Sequence, residues 1–196
     1  TAENQALGTE NEAHVSQTQV RRLQDLPGIK SLSLRGTYPI ADVAYEIDGF
    51  PVTVSCECLT PLIPSDAVSS SIPVAVFEFT IKNTSTTAVD VRLLQAQQNF
   101  VGWNGNGDCT GATPFWGGNV NTPYVAADGS HAGVFMTNPT VDGTSDAAGN
   151  VCIAAVKGTG STITVIPAAT SEADLWSKFT GNQSVNPASA PASAPS

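Results

Sequence analysis

Four cysteines, two histidines and a few aromatic rings hold most of the reactive chemistry of this 196-residue chain. Cys56 and Cys58 stand two apart, a spacing that puts both thiols on one face of a strand. Buried there, they behave as small hydrophobes. Cys109 and Cys152 fall in loop-to-strand regions and are the expected disulfide pair, although four cysteines allow three connectivities and spacing alone does not choose among them. An even cysteine count in a Ser/Thr-rich chain favours an oxidising compartment, so a secreted, extracellular location is expected.

Other candidate chemistry is weaker. His131 follows Ser130, but no nucleophile-elbow motif accompanies the pair, and His14 lies far away in a polar segment. There is no glycine-rich phosphate loop and no paired C-x-x-C spacing. Asn104, Asn106 and Asp108 offer oxygens at alternate positions, as calcium loops do, without the later bidentate Glu. Asp142, Asp146 and Asn150 form a second loose set. Both sets read as turns, so no metal, cofactor or catalytic residue is expected. Trp103, Trp116 and Tyr124 are candidates for a sugar-stacking platform; the plainer reading is that they clamp a long loop. Asn83-Thr84-Ser85 and Asn182-Gln183-Ser184 are acceptor sequons for N-linked glycans. Asn138-Pro139-Thr140 is excluded by its proline. Ser189, Ser193 and Ser196, in a Ser/Pro/Ala tract, are candidates for O-linked glycans.

Composition limits the partners. The formal net charge is −9 and only 13% of residues are charged. That balance argues against nucleic acid and anionic membrane surfaces. No run reaches the roughly 18 apolar residues of a membrane-spanning helix. A start at Thr1 reads as a processed chain or a fragment.

The elements that must position these residues are strands. Residues 1–28 form a polar arm, too poor in apolar groups to fold alone. Alternation begins at Ile29, with Leu32 and Leu34, then Val43 and Tyr45, then an Asp48-Gly49 turn. Val52, Val54, Cys56 and Cys58 share one face of the next strand. The strongest strand runs from Ile72 to Lys82, and Val89, Val91 and Leu93 are expected to answer it, placing Glu78 near Arg92. Residues 101–130 read as one long loop. Strands are expected again at 131–137, 151–157 and 161–166. A short helix over 171–179 is capped by Ser171 and carries Leu175, Trp176 and Phe179 on one stripe. The fold class is therefore all-β: an antiparallel β-sandwich over 29–182, with a short C-terminal helix, the extended arm, and a Pro/Ala/Ser-rich tail over 183–196.

Several motifs resemble one family in order and spacing. They are Gly36-Thr-Tyr-Pro-Ile-Ala41, Phe50-Pro-Val-Thr-Val54, Pro61-Leu-Ile-Pro64, Ser71-Ile-Pro-Val-Ala-Val-Phe77 and Lys82-Asn-Thr-Ser85. Gln98-Asn-Phe-Val-Gly-Trp103, Gly117-Gly-Asn-Val-Asn121 and Leu175-Trp-Ser-Lys-Phe179 continue the series. Over residues 26–182 the chain resembles the N-terminal domain of glycoside hydrolase family 116, the bile-acid β-glucosidase and glucosylceramidase family. The resemblance implies a β-sandwich that precedes a helical catalytic toroid. Nothing in this chain matches the toroid, so no catalytic residue carries over and no enzyme activity is expected. The family's domain is longer, and a sandwich short of strands leaves an edge free. The arm is then expected to add to a neighbour's sheet, building a self-assembled extracellular filament that carries glycans. The readings set against this one are an accessory domain separated from its glucosidase, which expects an exposed apolar docking face, and a carbohydrate-binding module.

Overall fold

The computed structural model describes residues 28–103, 117–170 and 172–181. The arm and tail, Asn182, Ser189, Ser193, Ser196, Cys109, Trp116, Ser171 and the Asn104–Asp108 run lie outside them. The chain divides into two compact units, Thr1–Arg92 and Leu93–Ser196. Each holds one antiparallel sheet, and only two short helices accompany the seven strands among the described residues. This is the all-β, sandwich-class composition expected from the alternation.

The first unit is a four-stranded meander: β1 (Ser31–Thr37), β2 (Ile40–Glu46), β3 (Val52–Leu59) and β4 (Val76–Asn83), hydrogen-bonded in that order. Sequence alternation fixes its two faces. Leu32, Tyr45, Val54 and Ile81 are in register across all four strands, and Leu34, Val43, Cys56 and Phe79 form the next row. The opposite face is polar. There Arg35 lies opposite Asp42 and reaches it at 2.8 Å, while Glu57 lies opposite Glu78. Directly opposed like charges are mildly unfavourable in a sheet. Gly49, at φ +71°, makes the β2–β3 turn in a conformation that favours glycine. Between β3 and β4 sits a single helical turn, α1 (Ala67–Ser70), which the sequence reading missed. Asp66 caps it by accepting the Ser69 N–H at 3.0 Å.

Two expectations here are corrected. Val74 and Ala75 precede β4 rather than belonging to it, and residues 84–99 form no strand. The unit boundary at Arg92/Leu93 explains the second: the alternation of Val89, Val91 and Leu93 belongs to a segment that leaves one unit for the other. Asn83 and Ser85 close the chain into a tight turn just before it. Asn83 Nδ2 donates to the Thr87 carbonyl at 2.7 Å, and its Oδ1 accepts the Ser85 N–H at 2.9 Å. Glu78 thus faces Glu57 in the ladder instead of a strand bearing Arg92.

The second unit holds β5 (Val120–Val125), β6 (His131–Thr137) and β7 (Asn150–Val156), with β6 central. Ala132, Val134 and Met136, on one face of β6, are buried with Val165; Val125, Val151, Ile153 and Ile163 pack around them. β5 falls inside the stretch read as loop, where Pro123 and two asparagines mask its alternation. Pro123 suits β5, which pairs on one side only among the described residues. Residues 161–166 supply Ile163 and Val165 to this core without forming a strand beyond a bridge at Val165. α2 (Glu172–Thr180) matches the expected helix, and the Trp176 and Phe179 rings meet at 5.6 Å. Asp174 steadies its first turn by accepting from Thr170 N–H and Lys178 Nζ, each at 2.8 Å.

Gly133 tests how tightly the β6–β7 pair is set. A Cβ there would collide with the Ile153 carbonyl oxygen and meet Ala154 Cα at 2.8 Å, both backbone atoms that cannot swing away. Gly133→Ala should lower the urea-unfolding free energy by about 1–3 kcal/mol. Gly143→Ala, which meets open space, should leave it unchanged.

Candidate functional site

The apolar face of the four-stranded sheet is the most conspicuous surface of the first unit. Its middle is closed: Val52 and Cys56 on β3 are buried. Its margins are not. Leu32, Leu34, Phe77 and Ile81 are 51, 67, 49 and 36% exposed. α1 contributes no buried residue to cover them. Large aliphatic and aromatic side chains therefore lie exposed together on one face of a hydrogen-bonded sheet. Lys30, Glu46 and Asp48 mark one end of the sheet, where Lys30 Nζ reaches Glu46 at 2.9 Å and Asp48 at 3.3 Å. The hydrogen bonds from Lys30 and Ser31 hold the Glu46 carboxyl below its usual range.

Two thiols lie within this face. Cys56 Sγ and Cys58 Sγ are 3.5 Å apart. Burial, followed by the neighbouring Cys58, pushes the Cys56 thiol up to about 11, so it is protonated near neutral pH.

In the second unit the dominant feature is a cluster of side-chain amides. Asn138, 8% exposed, donates from Nδ2 to the Val101 carbonyl at 3.1 Å and the Gly117 carbonyl at 3.0 Å. Its Oδ1 accepts from the Thr140 N–H and hydroxyl. Asn119 Nδ2 donates to the Val101 carbonyl at 2.8 Å. Asn99 Nδ2 donates to Asn121 Oδ1 at 2.8 Å and to the Thr137 carbonyl at 3.3 Å. Asn121 Nδ2 reaches the Pro167 carbonyl at 2.9 Å. Segments far apart in the chain are stitched by side chains where no ladder serves them. Gly102 and Gly118, both at positive φ, let the stitching close. A Cβ on either would meet Asn138 Nδ2 or Thr140 Cγ2 at 2.6 Å. The clasp holds both chain ends that flank residues 104–116.

Tyr124 stands on the face of β5 away from the core. The Cys152 thiol donates to its hydroxyl at 3.5 Å, and the His131 ring meets it edge-on at 5.9 Å. Trp103 is half-buried beside the clasp, its backbone N–H donating to the Phe100 carbonyl at 3.0 Å. The three-ring platform is not assembled from the described residues, since Trp116 lies outside them. Cys152 is exposed, and its expected partner Cys109 also lies outside. Ser130 Oγ and His131 Nδ1 are 3.0 Å apart, but the Asp128 carboxylate accepts the Ser130 N–H and is spent on the turn. Exposed on a hairpin, this pair lacks the dry, oriented setting of a nucleophile and base. No group of three or more His, Cys, Asp or Glu suited to a metal occurs among the described residues. Nor does any described helix have the length and apolarity to cross a membrane.

The family model described as beta-glucosidase 2, glycosyl-hydrolase family 116 N-term matches residues 1–196, and the chain belongs to that family. The match takes in the arm and tail as well as the 26–182 stretch in which the motifs occur. No solved structure matches the chain.

Two outcomes check this geometry. Asn138→Ala strips two backbone carbonyls of their partner and should cost about 2–3 kcal/mol in urea unfolding. Ultraviolet titration of tyrosinate should show a latest ionisation that disappears in Tyr124→Phe, while Tyr45, which burial also raises above 10.0, still ionises after an ordinary phenol. Burial, and then the Cys152 hydrogen bond, pushes the Tyr124 hydroxyl up to about 12 from 10.0. The folded state thus favours the neutral phenol. Its contribution to stability is whole below the unfolded value and fades as pH rises through the folded one.

Proposed function

We propose that the chain is the non-catalytic N-terminal accessory domain of a family 116 β-glucosidase, docking on a catalytic partner through the apolar face of β1–β4. The family match gives the class, and the exposed row of Leu32, Leu34, Phe77 and Ile81 is the observation that carries the docking role. Burying a large apolar side chain contributes about 1.5–3 kcal/mol. Several together offset the roughly 4–15 kcal/mol lost in association. Polar substrates gain little from such a face, whereas a packed protein surface fits it. The role is one of support for the catalytic domain and of shaping access to it.

Self-assembly by strand addition is the second reading. What favours it is that β1 and β4 each pair on one side only among the described residues. Donation of the arm to such an edge would build filaments, visible by electron microscopy of the chain alone.

The test is sedimentation of the chain mixed with a separately prepared catalytic domain of a family 116 β-glucosidase. A complex should form. Leu34→Glu and Phe77→Glu should each weaken it by about 2 kcal/mol or more, roughly 30-fold. No complex, with regular filaments of the chain alone, would decide for self-assembly.

A further inference from the structure

We propose that Cys56 and Cys58 form a two-thiolate site for a soft d10 cation of the Cu(I) class. The argument starts from the strand. Residues two apart on β3 are separated by about 6.6 Å along the backbone. Two ladders pin both: Cys56 pairs with Val43 and Phe79, and Cys58 pairs with Ala41 and Phe77. A disulfide needs Cβ atoms about 3.5–4.5 Å apart, closer than parallel Cβ vectors on one strand face allow. The thiols lean together to 3.5 Å, and a direct bond between them would require β3 to buckle. A bridging metal fits instead. With metal–sulfur bonds of about 2.3 Å, the sulfurs lie about 3.8 Å apart at a tetrahedral angle and about 4.6 Å apart in a linear arrangement. Small χ1 rotations reach that range while both ladders stay intact.

The surroundings select the ion. Zinc asks for four ligands, and the described residues bring no His, Asp or Glu to the pair in a metal-holding group. A soft monovalent d10 ion is satisfied by two thiolates and prefers sulfur. Val43 and Phe79 beside Cys56 are apolar; the oxygens near the pair are the Glu57 carbonyl, which accepts from the Cys56 thiol at 3.8 Å, and the Tyr45 hydroxyl, both harder donors than a thiolate. Cys58, half-buried beside buried Cys56, is the point of entry. On binding, each thiol gives up its proton to solvent and each sulfur donates an electron pair. The oxidation state of the metal is unchanged, and the site carries one net negative charge.

The experiment titrates the full, reduced chain anaerobically with Cu(I) against a chromophoric Cu(I) chelator. Stoichiometric uptake is expected in the native chain and in Cys152→Ser, with loss in Cys58→Ser. Uptake that survives Cys58→Ser, or that is lost in Cys152→Ser, overturns the proposal. A footprint on the native chain removes dependence on the variant's folding: Cu(I) should shield Cys58 from alkylation and leave exposed Cys152 labelled. Labelling of Cys58 unchanged by Cu(I) overturns it. Treatment with oxidised glutathione should yield no peptide linked between Cys56 and Cys58. Such a linked peptide would refute the strand-spacing argument.

Discussion

An antiparallel sheet with one apolar face needs a cover, and that requirement governs the first unit. Alternation along β1 to β4 puts leucine, valine, phenylalanine and cysteine side chains on one side and charged residues on the other. On β3, which pairs with both β2 and β4, Val52 and Cys56 are buried. β1 and β4, each paired on one side only among the described residues, leave Leu34 and Phe77 exposed. The charged face is committed to water by Arg35, Asp42, Glu57 and Glu78. The sheet therefore has a single orientation in which further contact is favourable, and it is the apolar one.

The second unit meets a different requirement. Its core on β6 is already closed by Val165 and the residues around it. The difficulty lies in irregular segments whose backbone groups have no ladder. Asn99, Asn119, Asn121 and Asn138 supply the missing partners. Four amide side chains in one place form a network in which each member positions the next, and the loss of one leaves buried carbonyls unsatisfied. Two motifs that signal the family, Gln98 to Trp103 and Gly117 to Asn121, turn out to be this clasp and the glycines that admit it. Their spacing follows from the hydrogen bonds they make.

Strands with clean alternation were legible in the sequence: β1 to β4, β6 and β7 follow period-two patterns, and α2 follows its apolar stripe. β5 was hidden because its core-facing positions include Asn121 and Pro123, which serve the clasp and the sheet edge rather than the apolar pattern. Val89 to Leu93 misled for the opposite reason: their alternation is real, but the chain there passes between units and pairs with nothing regular. Asn138 was set aside as a blocked sequon, because a local motif cannot announce carbonyls 21 and 37 residues away. The thiol pair was visible as a same-face pair, yet its sulfur separation depends on side-chain rotation that spacing does not give. An exposed apolar face was anticipated as a condition of the accessory-domain reading, and which residues stay exposed on it required the structure.

Hydroxyl-radical footprinting of the chain, alone and with a family 116 catalytic domain, tests the central claim most directly. Leu32, Leu34, Phe77 and Phe79 should be oxidised in the isolated chain and protected once the catalytic domain is added, while Val134 and Met136 in the second core stay protected throughout. Equal oxidation of the β1 and β4 residues in both samples, or their protection in the chain alone, would contradict an open face made for docking.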